Sequence, residues 1–198
     1  FYNLLLYFLF PLAFLRLFSK KEFSVSELNR IRERLGPIEL ENCSQPIWIH
    51  AVSVGEVKVA TLIIKELKRN LKDLNFLITT TTVAGSKEFN KHFGSEIAHQ
   101  YLPFDLNGIT KNFIDKIKPK CLILIETEIW PNLINNCHKN KIPVLLLNGR
   151  MSDKSLRKYD KLRTFFNKIF SKLTLVISQS QKDLENFVKL GVASEAIS

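Results

Sequence analysis

The sequence predicts an α/β fold, in which a Rossmann-like parallel sheet carries helices on both of its faces. From Pro46 onward, short β-favouring runs alternate with segments whose apolar residues recur at helical spacing. Such alternation is typical of βα units in a parallel sheet. Runs that are apolar throughout, such as "LILI" at 122–125 and "VLLL" at 144–147, indicate strands that are buried on both faces.

Composition and charge narrow the class of protein and the kind of partner. The chain has 198 residues, of which 45% are hydrophobic and 24% charged, a balance typical of a globular domain and not of a disordered chain. The formal net charge of +10 predicts an anionic partner: a nucleic acid, an anionic membrane surface or a phosphorylated substrate. No motif of RNA- or DNA-binding proteins occurs, which disfavours a nucleic acid.

The cysteines and histidines give no sign of a disulfide framework or a metal site. The four histidines lack the spacing of zinc ligands, and the three cysteines show no CxxC pairing. We therefore expect a reducing compartment and no structural metal. The cysteines are Cys43, Cys121 and Cys137.

The N-terminal stretch differs from the rest of the chain. Residues 1–21, "FYNLLLYFLFPLAFLRLFSKK", are largely apolar, with Pro11 and Arg16 as interruptions and Lys20 and Lys21 at the end. The charge lies on the wrong flank for a signal peptide, and a membrane-spanning helix needs about 20 apolar residues. We expect a signal anchor or an interfacial helix, with its basic end on the cytoplasmic side. A buried core helix is the alternative.

A basic amphipathic helix is predicted next, over residues 24–36, "SVSELNRIRERLG". Ser24 and Glu27 form a capping-box pattern, and Gly36 is a typical helix stop. Its arginines are expected to face anionic headgroups, although a solvated surface helix fits the pattern as well. These arginines are Arg30, Arg32 and Arg34.

The βα units follow in order. Strands are predicted at 47–52, 76–82, 121–126, 143–149 and 173–180, and a strand followed by a turn at 98–105. Helices are predicted at 56–71, 85–93, 107–117, from 130–131 onward, and at 155–170 and 181–191. In the first of these helices, the residues at core spacing are Ala60, Ile63, Ile64, Leu67 and Leu71.

Polar residues collect where the predicted strands end. In an open parallel sheet, ligands bind beyond the carboxyl ends of the strands, so we expect one edge of the sheet to carry the functional site. The residues at these ends are Ser53, Gly55 and Glu56, Thr79 to Thr82, Pro103 to Asp105, Glu126 and Glu128, Asn148 to Arg150, and Ser178 to Ser180.

The acids at these strand ends have two interpretations. Glu56 opens a helix directly after Gly55, where it is either an ordinary capping acid or a rigidly held general base. In "ETEIWPN", Glu126 and Glu128 follow a buried strand. Unpaired charges there are unfavourable, so they either pair with a neighbouring base or serve a function.

Further strand-end residues are candidates for substrate binding. "TTTTVAG", residues 79–85, offers hydroxyls to phosphate or sugar oxygens, but equally reads as a Thr-rich strand followed by a glycine turn. It does not match the P-loop pattern. Arg150 in "NGRMS" is placed to grip a phosphate. His50 lies within a strand, where a core or supporting role is the simpler interpretation.

Together these motifs resemble one family, the bacterial Kdo (3-deoxy-D-manno-octulosonic acid) transferases of lipopolysaccharide biosynthesis. The matching segments occur in the family's order and cover essentially the whole chain. They are the apolar N-terminus, "HAVSVGEV", "TTTTVAGS", "YLPFD", "ETEIWPNLI", "NGRMS" with Tyr159, and "ISQSQKDLENFVKLGV".

The resemblance implies a GT-B glycosyltransferase fold, with two Rossmann-like halves facing a cleft. Residues 1–21 are then a membrane anchor, and residues 22–198 the N-terminal, acceptor-binding domain. The donor-binding half and a lysine of the family's active site are expected beyond residue 198, so this part alone is expected to be inactive. The implied location is the cytoplasmic face of the inner membrane.

The resemblance also implies an inverting transfer of Kdo from CMP-Kdo to the lipid A precursor lipid IVA, with no metal or other cofactor. Glu56 corresponds to the family's general base and Glu126 to an acid that stabilises the transition state, which leaves Glu128 either a structural role or one of supporting the reacting groups. The implied substrate-binding residues are Ser53, Gly55, Thr81, Thr82 and Arg150. The rival interpretations are a basic membrane-surface module that binds anionic lipid without catalysis, and a GT-B transferase with another acceptor.

Overall fold

The computed structural model describes residues 2–4, 6–8, 11, 25–36 and 43–197. Residues 2–4, 6–8 and 11 have helical backbone. Most of the predicted anchor at 1–21, and Ser24 of the predicted capping box, lie outside the described residues. Within the described part of the chain, no helix combines the length and apolar character that crossing a membrane requires.

The βα alternation predicted from the sequence is confirmed. The strands are β1 (Ile47–His50), β2 (Phe76–Thr80), β3 (Ala98–Tyr101), β4 (Cys121–Ile125), β5 (Val144–Gly149) and β6 (Leu175–Ser178). The helices are α1 (Val25–Leu35), α2 (Val54–Asn70), α3 (Val83–Phe93), α4 (Asn107–Ile117), α5 (Pro131–Lys139), α6 (Asp153–Asp160), α7 (Arg163–Phe170) and α8 (Gln181–Lys189), before a 3₁₀ turn at Ser194–Ala196.

The described strands form one six-stranded sheet in the order β3-β2-β1-β4-β5-β6, and every pairing in it is parallel. The order runs outward from β1 to one side, then returns beside β1 and continues to the other side. The switch point therefore lies between β1 and β4, and ligands bind at such points beyond the carboxyl ends of the strands.

Two separate apolar cores show that both faces of the sheet are covered. Along β1, Trp48 belongs to one core and its neighbour Ile49 to the other, because successive side chains of a strand point to opposite faces. The core around Trp48 is closed by α4, α5, α7 and α8, and the core around Ile49 by α2 and α3. Helices on both faces were predicted, and this prediction is confirmed.

The helices differ from the prediction in several details. Leu71, predicted to lie in the core, is 51% exposed, because α2 ends at Asn70 and Leu71 is its C-cap in an extended conformation. The basic segment 155–170 is not one helix, since the helical backbone is interrupted between Asp160 and Arg163. α2 begins at Val54, two residues before the predicted start.

Two of the arginines of α1, Arg30 and Arg34, also depart from the prediction that all of them face headgroups, because both guanidinium groups lie over the ring of Tyr101. The guanidinium of Arg34 turns to the protein and donates a hydrogen bond to the carbonyl of Thr81 at 2.6 Å. Glu33 anchors the same helix, because its carboxylate accepts the backbone N–H of Tyr101 at 2.7 Å. The end of α1 therefore lies beside the carboxyl ends of β2 and β3.

Candidate active site

Glu56 lies in the first turn of α2, directly beyond the carboxyl end of β1. Ser53 caps the helix, and its hydroxyl accepts the Glu56 backbone N–H at 3.4 Å. The Glu56 carboxylate turns back, and Oε2 accepts the backbone N–H of Val52 at 2.7 Å. The side chain is only 5% exposed. Oε1 makes no hydrogen bond with a described residue, so one carboxylate oxygen is fixed and the other is available to accept a proton.

A second strand end braces this carboxylate. Thr82 caps α3, and its hydroxyl accepts the N–H of Gly85 at 3.0 Å and donates to the carbonyl of Val52 at 2.7 Å. Val52 therefore links Thr82 to Glu56, because its carbonyl accepts from the Thr82 hydroxyl and its N–H donates to the Glu56 carboxylate. Gly85 is required for this contact, since a Cβ at residue 85 would lie 2.8 Å from the Val52 carbonyl oxygen.

The acid-bearing loop 126–130 links β4 to α5 and has an unusual backbone. Glu126 has φ +60°, a left-handed conformation that is strained for a residue with a long side chain. Its N–H is bonded to the carbonyl of Leu147 at 2.9 Å, and its carbonyl accepts the N–H of Glu128 at 3.0 Å. Strained residues of this kind cluster at functional sites, and the Glu126 side chain is exposed.

The loop after β5 is tied to this acid-bearing loop. The hydroxyl of Thr127 accepts the N–H of Arg150 at 3.1 Å and donates to the carbonyl of the same residue. Asn148 has φ +59° at an irregularity in the pairing of β5 with β6. The Arg150 side chain is exposed at the same edge of the sheet as the acids.

Glu56, Glu126 and Glu128 lie near one another at this edge, and the charges of the first two act on Glu128. Burial raises the pKa of Glu128 to about 7, and the charges of Glu56 and Glu126 contribute to this rise. The nearby Trp130 indole opposes it, although its N–H makes no hydrogen bond of normal geometry. On its other side Glu128 raises the pKa of Tyr159, whose pKa is raised mainly by burial. A pKa of about 7 means that both the charged and the neutral form of Glu128 are populated at neutral pH.

The guanidinium groups of α1 stand at the neighbouring strand ends. Arg30 and Arg34 lie over the ring of Tyr101 at 5.0 and 5.5 Å, and Arg34 also lies 5.6 Å from the Phe104 ring centre. Burial and the charge of Arg30 lower the pKa of Arg34. These cations give the edge of β2 and β3 a positive charge beside the acids of β1 and β4.

The structure places the sequence-predicted binding residues at one edge, with different exposure. Ser53 and Gly55 are exposed, and a Cβ at Gly55 would meet only the Ser53 hydroxyl, at 3.8 Å, so there is open space above this turn. Thr81 is partly exposed and its hydroxyl bonds to no described residue. The Thr82 hydroxyl is already hydrogen-bonded to the Val52 carbonyl and the Gly85 N–H. Their roles in substrate binding stay predictions.

His50 has a supporting position beneath this edge. Its Nδ1 lies 3.0 Å from both the carbonyl and the hydroxyl oxygen of Thr79, and the ring meets Trp130 edge-on at 6.2 Å. Burial lowers the pKa of His50 to about 4, which keeps the imidazole neutral. Among the described residues, at this edge or away from it, no group of three His, Cys, Asp or Glu side chains could hold a metal ion.

Sequence reasoning missed the residue that fixes the start of α5. The N-cap residue Trp130 makes no side-chain cap, and the carboxylate of Asp105 accepts the first-turn N–H groups instead. Asp105 was identified only as one of several polar residues at a strand end. The available signal was a helix that starts at Trp130-Pro131 with no capping side chain of its own.

Comparison with known proteins identifies the family of the chain. Residues 29–198 match the family model described as 3-Deoxy-D-manno-octulosonic-acid transferase (kdotransferase). The chain is 35% identical over 188 residues to the 3-deoxy-D-manno-octulosonic acid transferase of Haemophilus influenzae, an alignment that covers 94% of this chain and 44% of the relative. The enzyme of the same name from Rickettsia bellii is 34% identical over 195 residues, covering 98% of this chain and 46% of the relative.

A relative with a broader name matches as well. A bifunctional glycosyltransferase/methyltransferase of Fusobacterium nucleatum is 35% identical over 153 residues, covering 76% of this chain and 24% of the relative. The chain thus spans about half the length, or less, of the curated relatives it matches. Because the family model covers most of the sequence, the chain belongs to the 3-deoxy-D-manno-octulosonic acid (Kdo) transferase family of glycosyltransferases.

Proposed function

We propose that this chain is the acceptor-binding half of an inverting glycosyltransferase that moves Kdo from CMP-Kdo to lipid IVA in lipopolysaccharide biosynthesis. The observation that supports it best is the geometry of Glu56, whose Oε2 is held by the Val52 N–H at 2.7 Å at the carboxyl end of β1. A general base needs a fixed carboxylate with one oxygen open to the proton that it removes.

In the proposed step, Glu56 takes the proton of an acceptor sugar hydroxyl. The hydroxyl oxygen forms a bond to the anomeric carbon of Kdo, the bond from that carbon to the CMP phosphate oxygen breaks, and CMP leaves with the electron pair. One displacement inverts the configuration and needs no protein nucleophile. The exposed Glu126 stabilises the transition state, in which positive charge develops on the Kdo ring. The step uses CMP-Kdo as a substrate and no metal or other cofactor.

The acceptor's charge supports lipid IVA as a hypothesis. Phosphates of a lipid A precursor suit a protein with a net charge of +10, and Arg150 is an exposed cation beside the acids. Ser53, Gly55, Thr81 and Thr82 are proposed to contact the acceptor through hydroxyl or backbone groups. A lipid acceptor also requires a membrane location, for which we propose residues 1–21 as the anchor on the cytoplasmic face of the inner membrane.

The first test restores the C-terminal half and incubates the full-length protein with CMP-Kdo and lipid IVA in detergent. Mass spectrometry of the lipid is expected to show a gain of one or more Kdo units, and the same spectrum counts the additions. Bound but unchanged lipid would contradict the proposed reaction and favour a module that binds anionic lipid without catalysis.

The second test is the variant Glu56→Gln in the full-length protein. Glutamine keeps an oxygen for the Val52 N–H but accepts no proton from the substrate, so transfer is expected to fall by about 10²–10⁴-fold. Binding of lipid IVA and the melting temperature are expected to stay close to those of the wild type. Turnover within about tenfold of the wild type would remove Glu56 from the role of general base.

A further inference from the structure

The carboxylate of Asp105, in the loop after β3, caps a helix to which it does not belong. Oδ1 accepts the backbone N–H of Leu133 at 2.8 Å, and Oδ2 accepts that of Asn132 at 3.1 Å. Both are first-turn N–H groups of α5, which have no partner within their own helix. A carboxylate at this end of a helix is also favoured by the helix dipole.

The N-terminal stretch completes this contact. The hydroxyl of Tyr2 donates to Oδ2 of Asp105 at 2.8 Å, and its ring lies 5.5 Å from that of Phe165. The side-chain amide of Asn132 donates to Oδ1 of Asn3 at 2.7 Å and to the Asp105 carbonyl at 2.5 Å. Asp105 is only 7% exposed, so its hydrogen bonds are formed away from water and are correspondingly strong.

This clamp, formed by Asp105, Tyr2 and Asn132, lies next to the acid-bearing loop 126–130. The loop has few residues between the end of β4 and Pro131, the first residue of α5. Its β4 end is held by the sheet and by the bonds of Thr127 to Arg150. Its other end runs directly into the first turn of α5, where Asp105 accepts the N–H groups of Asn132 and Leu133.

We propose that Asp105 and Tyr2 are positioning residues for Kdo transfer, which hold the acid-bearing loop by fixing the start of α5. The N-terminal stretch then serves the active site directly, in addition to any attachment to a membrane. This inference rests on the proposed function. An anchor-only role for the stretch predicts no effect of Tyr2→Phe in detergent micelles, whereas a role in the clamp predicts slower turnover there.

The kinetic test uses full-length Asp105→Asn and Tyr2→Phe with CMP-Kdo and lipid IVA in detergent. We expect kcat per folded molecule to fall about tenfold for Asp105→Asn and about threefold for Tyr2→Phe, with each KM within about twofold of the wild type. The control is Asp115→Asn, an exposed acid of α4 that pairs with Lys111, which is expected to leave kcat unchanged. An unchanged kcat in both test variants would overturn the proposal.

Hydrogen exchange of backbone amides gives a readout that does not depend on activity. In both test variants the amides of 126–133, apart from Pro131, which has no N–H, are expected to exchange at least about tenfold faster. Those of β4 should keep their protection, because only the clamp has opened. The control is Tyr7→Phe, at an exposed tyrosine of the same stretch, which is expected to leave the exchange of 126–133 and of β4 unchanged. Equal acceleration of β4 would indicate general destabilisation and would overturn the proposal.

The two tests keep the proposals separable. A wild-type protein that transfers no Kdo would contradict the proposed function, while hydrogen exchange would still decide whether the clamp holds the loop. Should Asp105→Asn fail to fold, Tyr2→Phe decides alone, because it removes one hydroxyl and leaves the cap of α5 in place. Unchanged protection of 126–133 in Tyr2→Phe would then exclude the N-terminal stretch from the clamp.

Discussion

At the scale of single residues, the two acids of the acid-bearing loop lie in opposite environments. Glu126 is exposed and its backbone is strained, so its carboxylate is hydrated and can approach a substrate. Glu128 is partly buried, and burial and two neighbouring carboxylates raise its pKa to about 7. The sequence motif gives no sign of this difference between the two acids. It arises from packing, which makes Glu128 the one of the two whose pKa is raised to near neutral pH.

The variant Glu128→Gln is expected to be more stable than the wild type at alkaline pH. The folded-state pKa of about 7 lies above the ordinary value of 4.5, so the folded protein holds this proton more tightly than the unfolded chain. The wild type therefore loses stability as pH rises through that window, whereas the glutamine side chain of the variant has no charge to bury. Because the side chain is partly exposed, we expect roughly 1 kcal/mol or less.

Urea unfolding at about pH 5 and about pH 8 measures this effect. The advantage of the variant is expected at the higher pH and should shrink at the lower one. Glu185→Gln, at an exposed position of α8, is the control and should show no such pH dependence. A variant that differs from the wild type equally at both pH values would contradict the assignment of the raised pKa.

A variant of Arg150 tests whether a phosphate of the acceptor binds at this edge of the sheet. Its exposed guanidinium is expected to bind an acceptor phosphate, so Arg150→Glu should weaken binding of lipid IVA micelles by about tenfold or more, since attraction becomes repulsion. The control is Arg69→Glu near the end of α2, at an exposed site paired with Glu66, on the opposite edge of the sheet. Equal affinities of the two variants would remove Arg150 from the binding site.

At the scale of elements, the sequence predicted the strands and helices correctly where the pattern lay within a single short segment. The strands β4 and β5 were predicted from apolar runs, and the strand ends correctly identified the edge that carries Glu56 and Glu126. The interruption between α6 and α7 was not predicted, because the segment contains no proline or glycine to mark it. The cap of α5 by Asp105 was missed because Asn132 and Leu133, whose N–H groups it accepts, lie 27 and 28 residues after Asp105 in the sequence.

The contact of α3 with the loop after β1 depends on a single glycine. In Gly85→Ala the new Cβ would lie 2.8 Å from the backbone oxygen of Val52, which no side-chain rotation relieves, so we expect a loss of about 1–3 kcal/mol in the free energy of unfolding. Gly108→Ala is the matched control, since nothing lies within 4 Å of its Cβ. That helical substitution should be neutral or stabilising by up to about 1 kcal/mol.

Urea unfolding of both variants checks this prediction, and the activity of the full-length protein adds a second reading. Because Val52 also holds Glu56, a displaced Val52 backbone is expected to lower kcat in Gly85→Ala. A Gly85→Ala protein as stable as Gly108→Ala would show that the loop after β1 gives way easily, and that the brace of Glu56 is weaker than its hydrogen bonds indicate.

At the scale of the whole molecule, net charge and exposed apolar surface both predict binding to an anionic membrane. The net charge is +10, and apolar side chains of the N-terminal stretch are exposed, namely Leu4, Tyr7 and Phe8 at 63%, 56% and 72%. Stable membrane attachment generally needs two such signals, because one weak apolar insertion or a basic surface alone is reversible. We therefore expect the protein to bind anionic membranes by both means.

Sedimentation with vesicles separates the two contributions. Binding to vesicles that contain about 30% anionic lipid is expected to exceed binding to neutral vesicles by about tenfold or more at low salt. It should weaken as salt shortens the screening length from about 10 Å at 0.1 M to about 3 Å at 1 M. Apolar insertion is insensitive to this screening, so the binding that remains at 1 M salt measures it. Equal binding to neutral and anionic vesicles would show that charge plays no part.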